Sequence, residues 1–258
     1  MRIVYFANNL LAARLAEWLT SQGESIVAAV LHPEHRRKCS AELIAALPAG
    51  VPIIDGSKLS APESIEQLRG LRPDIGVSVL FGYILRKDVL GLFPAGCVNL
   101  HPALLPYNRG AYPNVWSIIE ETPAGATLHY IDEGVDTGNI IAQREVPVEP
   151  VDTGASLYSR LESAALLLFQ ETWPKIRSGE SNPVSQSATS GTVHKVRDVT
   201  NIDCIDLDAT YKAKDLINLI RARTFPPYRG AYFVHNGKKI YLELKLDCES
   251  ETGGKGNV

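Results

Sequence analysis

Arg2-Ile3-Val4-Tyr5-Phe6-Ala7-Asn8-Asn9-Leu10-Leu11-Ala12-Ala13-Arg14-Leu15-Ala16-Glu17-Trp18, followed by Ser25-Ile26-Val27-Ala28-Ala29-Val30-Leu31, decides the fold. Residues 2–7 form an almost unbroken apolar run of the buried-strand type. The period then changes: Leu11, Leu15 and Trp18 share one helical face, and Gly23 offers a stop. Residues 25–31 repeat the strand signal. Strand, helix, strand is the unit whose two strands run parallel, because the helix carries the chain back along the sheet.

The alternation continues. A polar, partly helical segment leads to a short strand at 51–54, a helix at 61–70, a strand from Asp74 to Leu80, a helix near 86–92 and a strand at 96–100. The fold class is therefore α/β: a Rossmann-like, mostly parallel sheet with helices on both faces. Ligands of such sheets collect at the carboxyl ends of the strands. Asn8 and Asn9, Phe81 to Leu85, and Asn99 to His101 all fall there.

Ala126 to Ile131 and Asn139 to Val146 read as strands flanking Asp136. Leu157, Leu161, Ala165 and Leu168 mark a helix over 153–173, capped by Asp152 or Thr153 and ended or bent by Pro174. The Ser-, Gly-, Asn- and Thr-rich stretch from Ser178 to Thr192 marks a boundary. Beyond it, a helix from Tyr211 to Arg223 turns Leu216, Leu219 and Ile220 inward. Strands from Tyr228 to Val234 and Lys239 to Leu246 meet at an Asn236-Gly237 hairpin turn. The expected organisation is a catalytic domain over 1–180, a small C-terminal α+β region of helix and hairpin over 181–248, and a disordered tail over 249–258.

With 258 residues, 45% hydrophobic and 21% charged, the chain has the composition of an ordinary globular protein. A net charge of −3 gives no electrostatic reason to expect a nucleic-acid partner, and the basic run His35-Arg36-Arg37-Lys38 reads as a solvated loop. Cys39, Cys97, Cys204 and Cys248 show no CxxC pair, so they read as reduced thiols of a cytoplasmic protein, with no metal site. The longest apolar run, Ile75 to Leu85, is too short to span a bilayer, so no membrane partner is expected.

The chemistry sits in Cys97-Val98-Asn99-Leu100-His101-Pro102-Ala103-Leu104-Leu105-Pro106 and in Asp132-Glu133-Gly134-Val135-Asp136-Thr137-Gly138. Asn99 and His101 are two apart on a strand, so both side chains leave on one face. A neutral amide can donate to a developing oxyanion, and a histidine beside it can exchange protons near neutral pH. Asp136 can fix the tautomer of His101 or order a water between them. Cys97 lacks a base and reads as a buried thiol, and His129 as a hydrogen-bonded core residue beside the site. Gly82 allows close backbone approach to a flat ligand, or simply turns strand into helix. Ala7-Asn8-Asn9-Leu10 stands where a dinucleotide fold would carry GxGxxG, which disfavours that class.

These two segments, with Arg109-Gly110, resemble the folate-dependent formyltransferases: the methionyl-tRNA, glycinamide-ribonucleotide and nucleotide-sugar enzymes. The resemblance covers residues 1–180 and puts Asn99, His101 and Asp136 on the family's catalytic Asn, His and Asp. It implies N10-formyltetrahydrofolate as cosubstrate, its pterin held by Phe81, Gly82, Tyr83 and Leu85 and by Asp132 and Glu133. Asp203 to Leu246 is similar to the start of the second domain in the tRNA and sugar enzymes. Glu34 to Leu47 does not match the tRNA enzyme's basic insertion, and Asn8-Asn9 replaces the purine enzyme's phosphate loop. What remains resembles the bacterial sugar N-formyltransferases, which implies formyl transfer to a nucleotide-linked amino-deoxysugar, of the dTDP-4-amino-4,6-dideoxyglucose type, for surface polysaccharide. Asn8, Asn9, Tyr107, Arg109 and Tyr112 lie where the acceptor would sit, Arg109 being equally readable as a rim residue. The hairpin offers an edge for a homodimer. Rival readings are a methionyl-tRNA formyltransferase, a formyltetrahydrofolate hydrolase and a non-catalytic folate-binding protein.

Overall fold

β1 (Arg2–Ala7) is buried at every residue but its first, as a strand must be when helices cover both faces of its sheet. The chain continues through α1 (Leu10–Ser21), β2 (Ser25–Leu31), α2 (Ser40–Ala45), β3 (Ile53–Asp55), α3 (Pro62–Gly70), β4 (Ile75–Val79), α4 (Lys87–Leu90) and β5 (Cys97–His101). A short strand, β6 (Arg109–Gly110), and α5 (Pro113–Ile119) precede β7 (Gly125–Tyr130), β8 (Ile140–Glu145) and the long α6 (Gly154–Arg177). Then come β9 (Val193–His194), α7 (Val196–Ile202), α8 (Ala213–Ala222), β10 (Tyr232–His235) and β11 (Lys238–Tyr241). This computed structural model describes residues 1–187 and 191–249, so all of the expected tail but Glu249 lies outside the described residues.

Seven strands form one sheet in the order β3-β2-β1-β4-β5-β7-β8. The first five to enter it are parallel, and β7 and β8 add antiparallel beyond β5. The order reverses between β1 and β4, which opens a crevice at their carboxyl ends. On one face Ile3, Tyr5 and Ala7 pack with Leu11, Leu15 and Leu19 of α1 and Leu157 and Leu161 of α6. On the other, Val4, Phe6 and Val30 meet Ile65 and Leu68 of α3 and Val89 of α4. The strict in-and-out alternation of β1 thus serves two cores at once.

One expected boundary is corrected. The helix does not end at Pro174 but runs through it to Arg177. A proline inside a helix costs about 3 kcal/mol, and packing on both sides of it opposes that cost. Trp173 is buried, stacks on Phe169 at 5.2 Å and donates its indole N–H to Glu24 Oε1 at 3.0 Å; Ile176 is buried as well.

The C-terminal region docks through the end of α8. Arg221 donates from Nη1 to the carbonyls of Glu149, Pro150 and Asp152 at 3.0, 3.3 and 2.9 Å, and from Nε to Asn218 Oδ1 at 2.9 Å. Asn236 and Gly237 take positive φ of 49° and 73°, the mirror-image turn that suits the twist of a two-residue hairpin. The hairpin strands are shorter than expected, and Phe225 and Tyr228 close a separate bridge across Pro226-Pro227 ahead of the first. Among the described residues, no helix is long and apolar enough to cross a membrane.

Candidate active site

β5 sends Asn99 and His101 out on one face, and β7 pairs with it so that His129 lies opposite Asn99. The β7–β8 loop then folds back over β5. Asp132 Oδ1 starts that loop, accepting from Gly134 N at 3.0 Å and Thr137 Oγ1 at 2.6 Å. Gly138 closes it against the main chain: a Cβ there would stand 1.9 Å from the Tyr130 carbonyl oxygen, so only glycine passes. Between them Asp136 takes the left-handed conformation (φ 53°), which aspartate tolerates better than most residues.

That conformation places the Asp136 carboxylate at the centre of the site. Oδ2 accepts from the Gly110 N–H at 2.9 Å and lies 3.7 Å from His101 Nε2; Oδ1 accepts from Asn99 Nδ2 at 3.3 Å and lies 3.5 Å from His129 Nε2. His101 Nε2 is also 3.3 Å from the Asn108 carbonyl, which can only accept, so this nitrogen carries the proton. His129 Nδ1 donates to the Tyr130 carbonyl at 2.7 Å. Its Nε2 is then left to accept from Asn99 Nδ2 at 3.1 Å, which fixes the Asn99 carboxamide with its nitrogen inward. The 3.3 Å contact to Asp136 is the weaker of the two Asn99 bonds, and an oxyanion would compete for that proton.

Burial pushes the His101 pKa below its ordinary value; Asp136 opposes the shift and His129 adds to it. His101 therefore rests neutral, as a base must. Burial alone would raise Asp136, but His101, His129 and the Gly110 N–H outweigh it and hold its carboxyl well below the usual range. A charged carboxylate beside a neutral imidazole favours the imidazolium that forms on proton uptake. Titrated by imidazole NMR, His101 is expected to have its midpoint below the ordinary 6.5. Asp136→Asn should move it further down, since the group that raises it is gone; an upward move would contradict this electrostatic reading. Cys97 shares the strand face, but burial raises its thiol pKa far from any nucleophilic range.

The remaining expected residues divide by surroundings. The side chains of Phe81 and Leu85 are buried in the second core, while Gly82 (φ 77°) and Ile84 are exposed. Tyr83 packs on His32 at 4.6 Å, and its hydroxyl is buried without a hydrogen-bond partner among the described residues. That orphaned hydroxyl and the open main chain at Gly82 fit a flat, polar-edged ligand. Glu133 is exposed, 3.8 Å from Lys87 Nζ. Asn8 is buried and accepts from Lys38 N at 3.2 Å; Asn9 caps α1 through Ala12 N at 3.0 Å and donates to Glu162 Oε1 at 3.1 Å. Burial raises the pKa of that Glu162 carboxyl. Tyr107 and Tyr112 are exposed. Arg109 is buried rather than at a rim, its guanidinium on Gln186 Oε1. Among the described residues no group of three or more His, Cys, Asp or Glu is placed to hold a metal ion.

Two contributors escape a reading of the sequence. His129 shows as a core histidine, and only its register opposite Asn99 brings it to the carboxylate. Gln186 lies in the stretch read as a boundary, yet this segment is folded onto the site: Val184 bridges Ile140, and β9 pairs with β6.

Comparison with known proteins agrees on the family. Residues 1–172 match the family described as Formyl transferase, and residues 198–247 match the N-formyltransferase dimerization C-terminal domain. A methionyl-tRNA formyltransferase from Myxococcus xanthus is 38% identical over 212 residues, covering 82% of this chain but 65% of its own length. The crystal structure of a 4-N formyltransferase from Francisella tularensis superposes with a TM-score of 0.79 at 25% identity, over 96% of this chain and 99% of that one. The formyltransferase PseJ from Anoxybacillus kamchatkensis, solved with UDP-4,6-dideoxy-4-formamido-L-AltNAc and tetrahydrofolate, is 30% identical with a TM-score of 0.59 over 78% and 89% of the two chains.

Proposed function

The chain belongs to the formyl transferase family, and from that premise we propose that it transfers the formyl group of N10-formyltetrahydrofolate to the amine of a nucleotide-linked amino-deoxysugar. The observation that carries this reading is the pairing of an Asn99–His101–Asp136 centre with likeness, along nearly the whole chain, to a 4-N formyltransferase. PseJ, whose structure holds a formamido sugar beside tetrahydrofolate, supports the same acceptor class. A net charge of −3 also suits a small nucleotide better than a tRNA.

In this reading the unprotonated sugar amine attacks the formyl carbon and a C–N bond forms. The carbonyl electrons move onto oxygen, where the Asn99 N–H donates to the oxyanion. His101 removes the extra proton from nitrogen, becoming an imidazolium beside Asp136. The oxyanion then collapses, the bond to N10 breaks, and a proton passed back through His101 leaves with tetrahydrofolate. The reaction balances with no external oxidant or base. The half-buried ring at Tyr83 and the backbone of Gly82 would hold the pterin, with Tyr107 and Tyr112 toward the acceptor. The protein would act as a cytoplasmic homodimer through the hairpin, whose Val234, Ile240 and Tyr241 are exposed in the single chain.

The high identity to a tRNA enzyme makes methionyl-tRNA the competing acceptor. Incubating the protein with formyl donor and a panel of thymidine-, uridine- and guanosine-diphosphate amino sugars, beside charged initiator tRNA, separates the two by mass gain. Formylation of at least one sugar and not of the tRNA is expected; formylation of the tRNA alone would overturn the sugar reading.

A further inference from the structure

Gln186 lies seven residues before β9, between the two family-matched regions, and its carboxamide is fully engaged. Its Nε2 donates to the Asp136 carbonyl at 2.9 Å and the Gly138 carbonyl at 2.7 Å. Its Oε1 accepts from Arg109 Nε at 3.2 Å and Nη2 at 2.7 Å. A primary amide has two N–H donors and two acceptor lone pairs, so this site uses all of them. The Asp132 turn reaches only Gly134 and Thr137, and leaves the carbonyls of Asp136 and Gly138 to Gln186.

Resting on the formyl-transfer reading above, we infer that Gln186 is a positioning residue for the reaction. It holds the Asp136–Gly138 backbone in the strained conformation that aims the Asp136 carboxylate at His101. The described residues of the connecting segment, Val184, Gln186 and Thr192, are thereby part of the support of the catalytic centre.

Three further contacts support this. Mutual backbone bonds of 2.8 Å between Val184 and Ile140 anchor the segment just before Gln186. After the undescribed residues, Thr192 accepts from Arg109 N through its carbonyl at 3.0 Å. The Thr192 hydroxyl accepts from Asn108 N and donates to Asn108 Oδ1, each at 3.0 Å. Asn108 supplies the carbonyl that His101 Nε2 faces, and Gly110 supplies the N–H that holds Asp136 Oδ2. One segment therefore braces the partners of both His101 and Asp136. A left-handed Asp136 costs about 1–3 kcal/mol and persists only where its surroundings fix it, which the Gln186 bonds do.

The pair Gln186→Met and Gln186→Glu separates positioning from packing. Methionine keeps the volume and loses every hydrogen bond. Glutamate keeps the acceptor for Arg109, now as an ion pair, and turns the donation to Asp136 and Gly138 into repulsion, since a carboxylate only accepts. Both variants should lower kcat by about 10²-fold with KM for the folate donor nearly unchanged. Wild-type turnover in Gln186→Glu beside an impaired Gln186→Met would assign the residue to Arg109 alone and overturn the inference, as would wild-type turnover in both. If Gln186→Met melts early, Gln186→Glu at normal melting temperature still decides.

A second measurement needs no acceptor. The groups facing His101 are Asp136 from the loop and His129 from β7, so withdrawal of Asp136 should shift the His101 NMR titration to lower pH in Gln186→Met, which adds no charge. An unshifted titration in that variant contradicts the positioning role. If that shift appears while wild type formylates no amino sugar, the positioning stands and the acceptor assignment falls.

Discussion

His101→Ala is expected to lower formyl-transfer kcat by about 10²–10⁴-fold, the usual worth of a positioned proton carrier. His101 is buried at 5% exposure and its Nε2 lies 3.7 Å from the Asp136 carboxylate, so no neighbouring group can take over its proton. His129 is the nearest imidazole, but its Nδ1 is committed to the Tyr130 carbonyl and its Nε2 to Asn99. Donor binding should persist, because the residues assigned to the pterin lie on the loops at 81–85 and at Asp132–Glu133 and not on β5. The fold should persist as well: the imidazole contributes one long bond, 3.3 Å to Asn108 O. Steady-state kinetics with the preferred amino sugar, alongside a folate-binding titration, provides the check. Turnover within a few-fold of wild type would remove His101 from the chemistry. A matching loss of donor affinity would instead make it a binding residue. Asn99→Ala should fall in the same assay by about 10²–10³-fold, for the separate reason that it strips the oxyanion of a preorganised donor.

Arg221→Met is expected to destabilise the docking of the C-terminal region by about 3–5 kcal/mol. That figure takes the Glu149, Pro150 and Asp152 carbonyls, each worth about 1–3 kcal/mol when it loses a buried donor, toward the low end of their sum, because Arg221 also borders an open cleft. A Cβ on Gly154 would stand 2.1 Å from the Ala222 carbonyl, and Ala155 N donates to Thr224 O at 3.2 Å. The start of α6 and the end of α8 are thus in backbone contact around the arginine. Calorimetry should show the unfolding transition moved to lower temperature, or divided into two if the regions separate before each unfolds. A transition unchanged from wild type would mean that backbone contact alone carries the docking. Arg221→Lys should recover only part of the loss, because an ammonium cannot reach three carbonyls and Asn218 with one planar fork.

What the sequence made legible follows from where periodicity carries information. β1, α1 and β2 could be read because a continuous apolar run gives way to a 3.6-residue period and back again. Asn99 and His101 could be read because alternation along a strand forces both onto one face. Asp136 could be read as a partner of His101 by its chemistry, but not placed, since the loop must fold back over β5 to bring the carboxylate in, and no local period encodes that return. The two-residue strands β6 and β9 are too short to have a period, and α5 begins after Tyr112 in the left-handed conformation, which side-chain pattern does not announce. Asn8 and Asn9 illustrate a different limit. Short amides at a strand end compete for nearby backbone, and these two are held by Lys38 N and Ala12 N. Gln186 was hidden by composition: a stretch of Ser, Asn and Gly reads as a linker, while a single amide within it makes four bonds to the site. Pro174 marks the converse case, a strong local stop signal overruled by the buried Trp173 and Ile176 on either side.

The central claim is that this centre moves a formyl group onto a sugar nitrogen. Its most direct test supplies the donor with a carbon-13 formyl label and follows that carbon by NMR, with amino sugar, charged tRNA or water alone as acceptor. The label is expected as a formamide coupled to the sugar nitrogen, and that signal should vanish in His101→Ala. Label appearing as formate in the presence of every amino sugar, or only on methionyl-tRNA, would contradict the account.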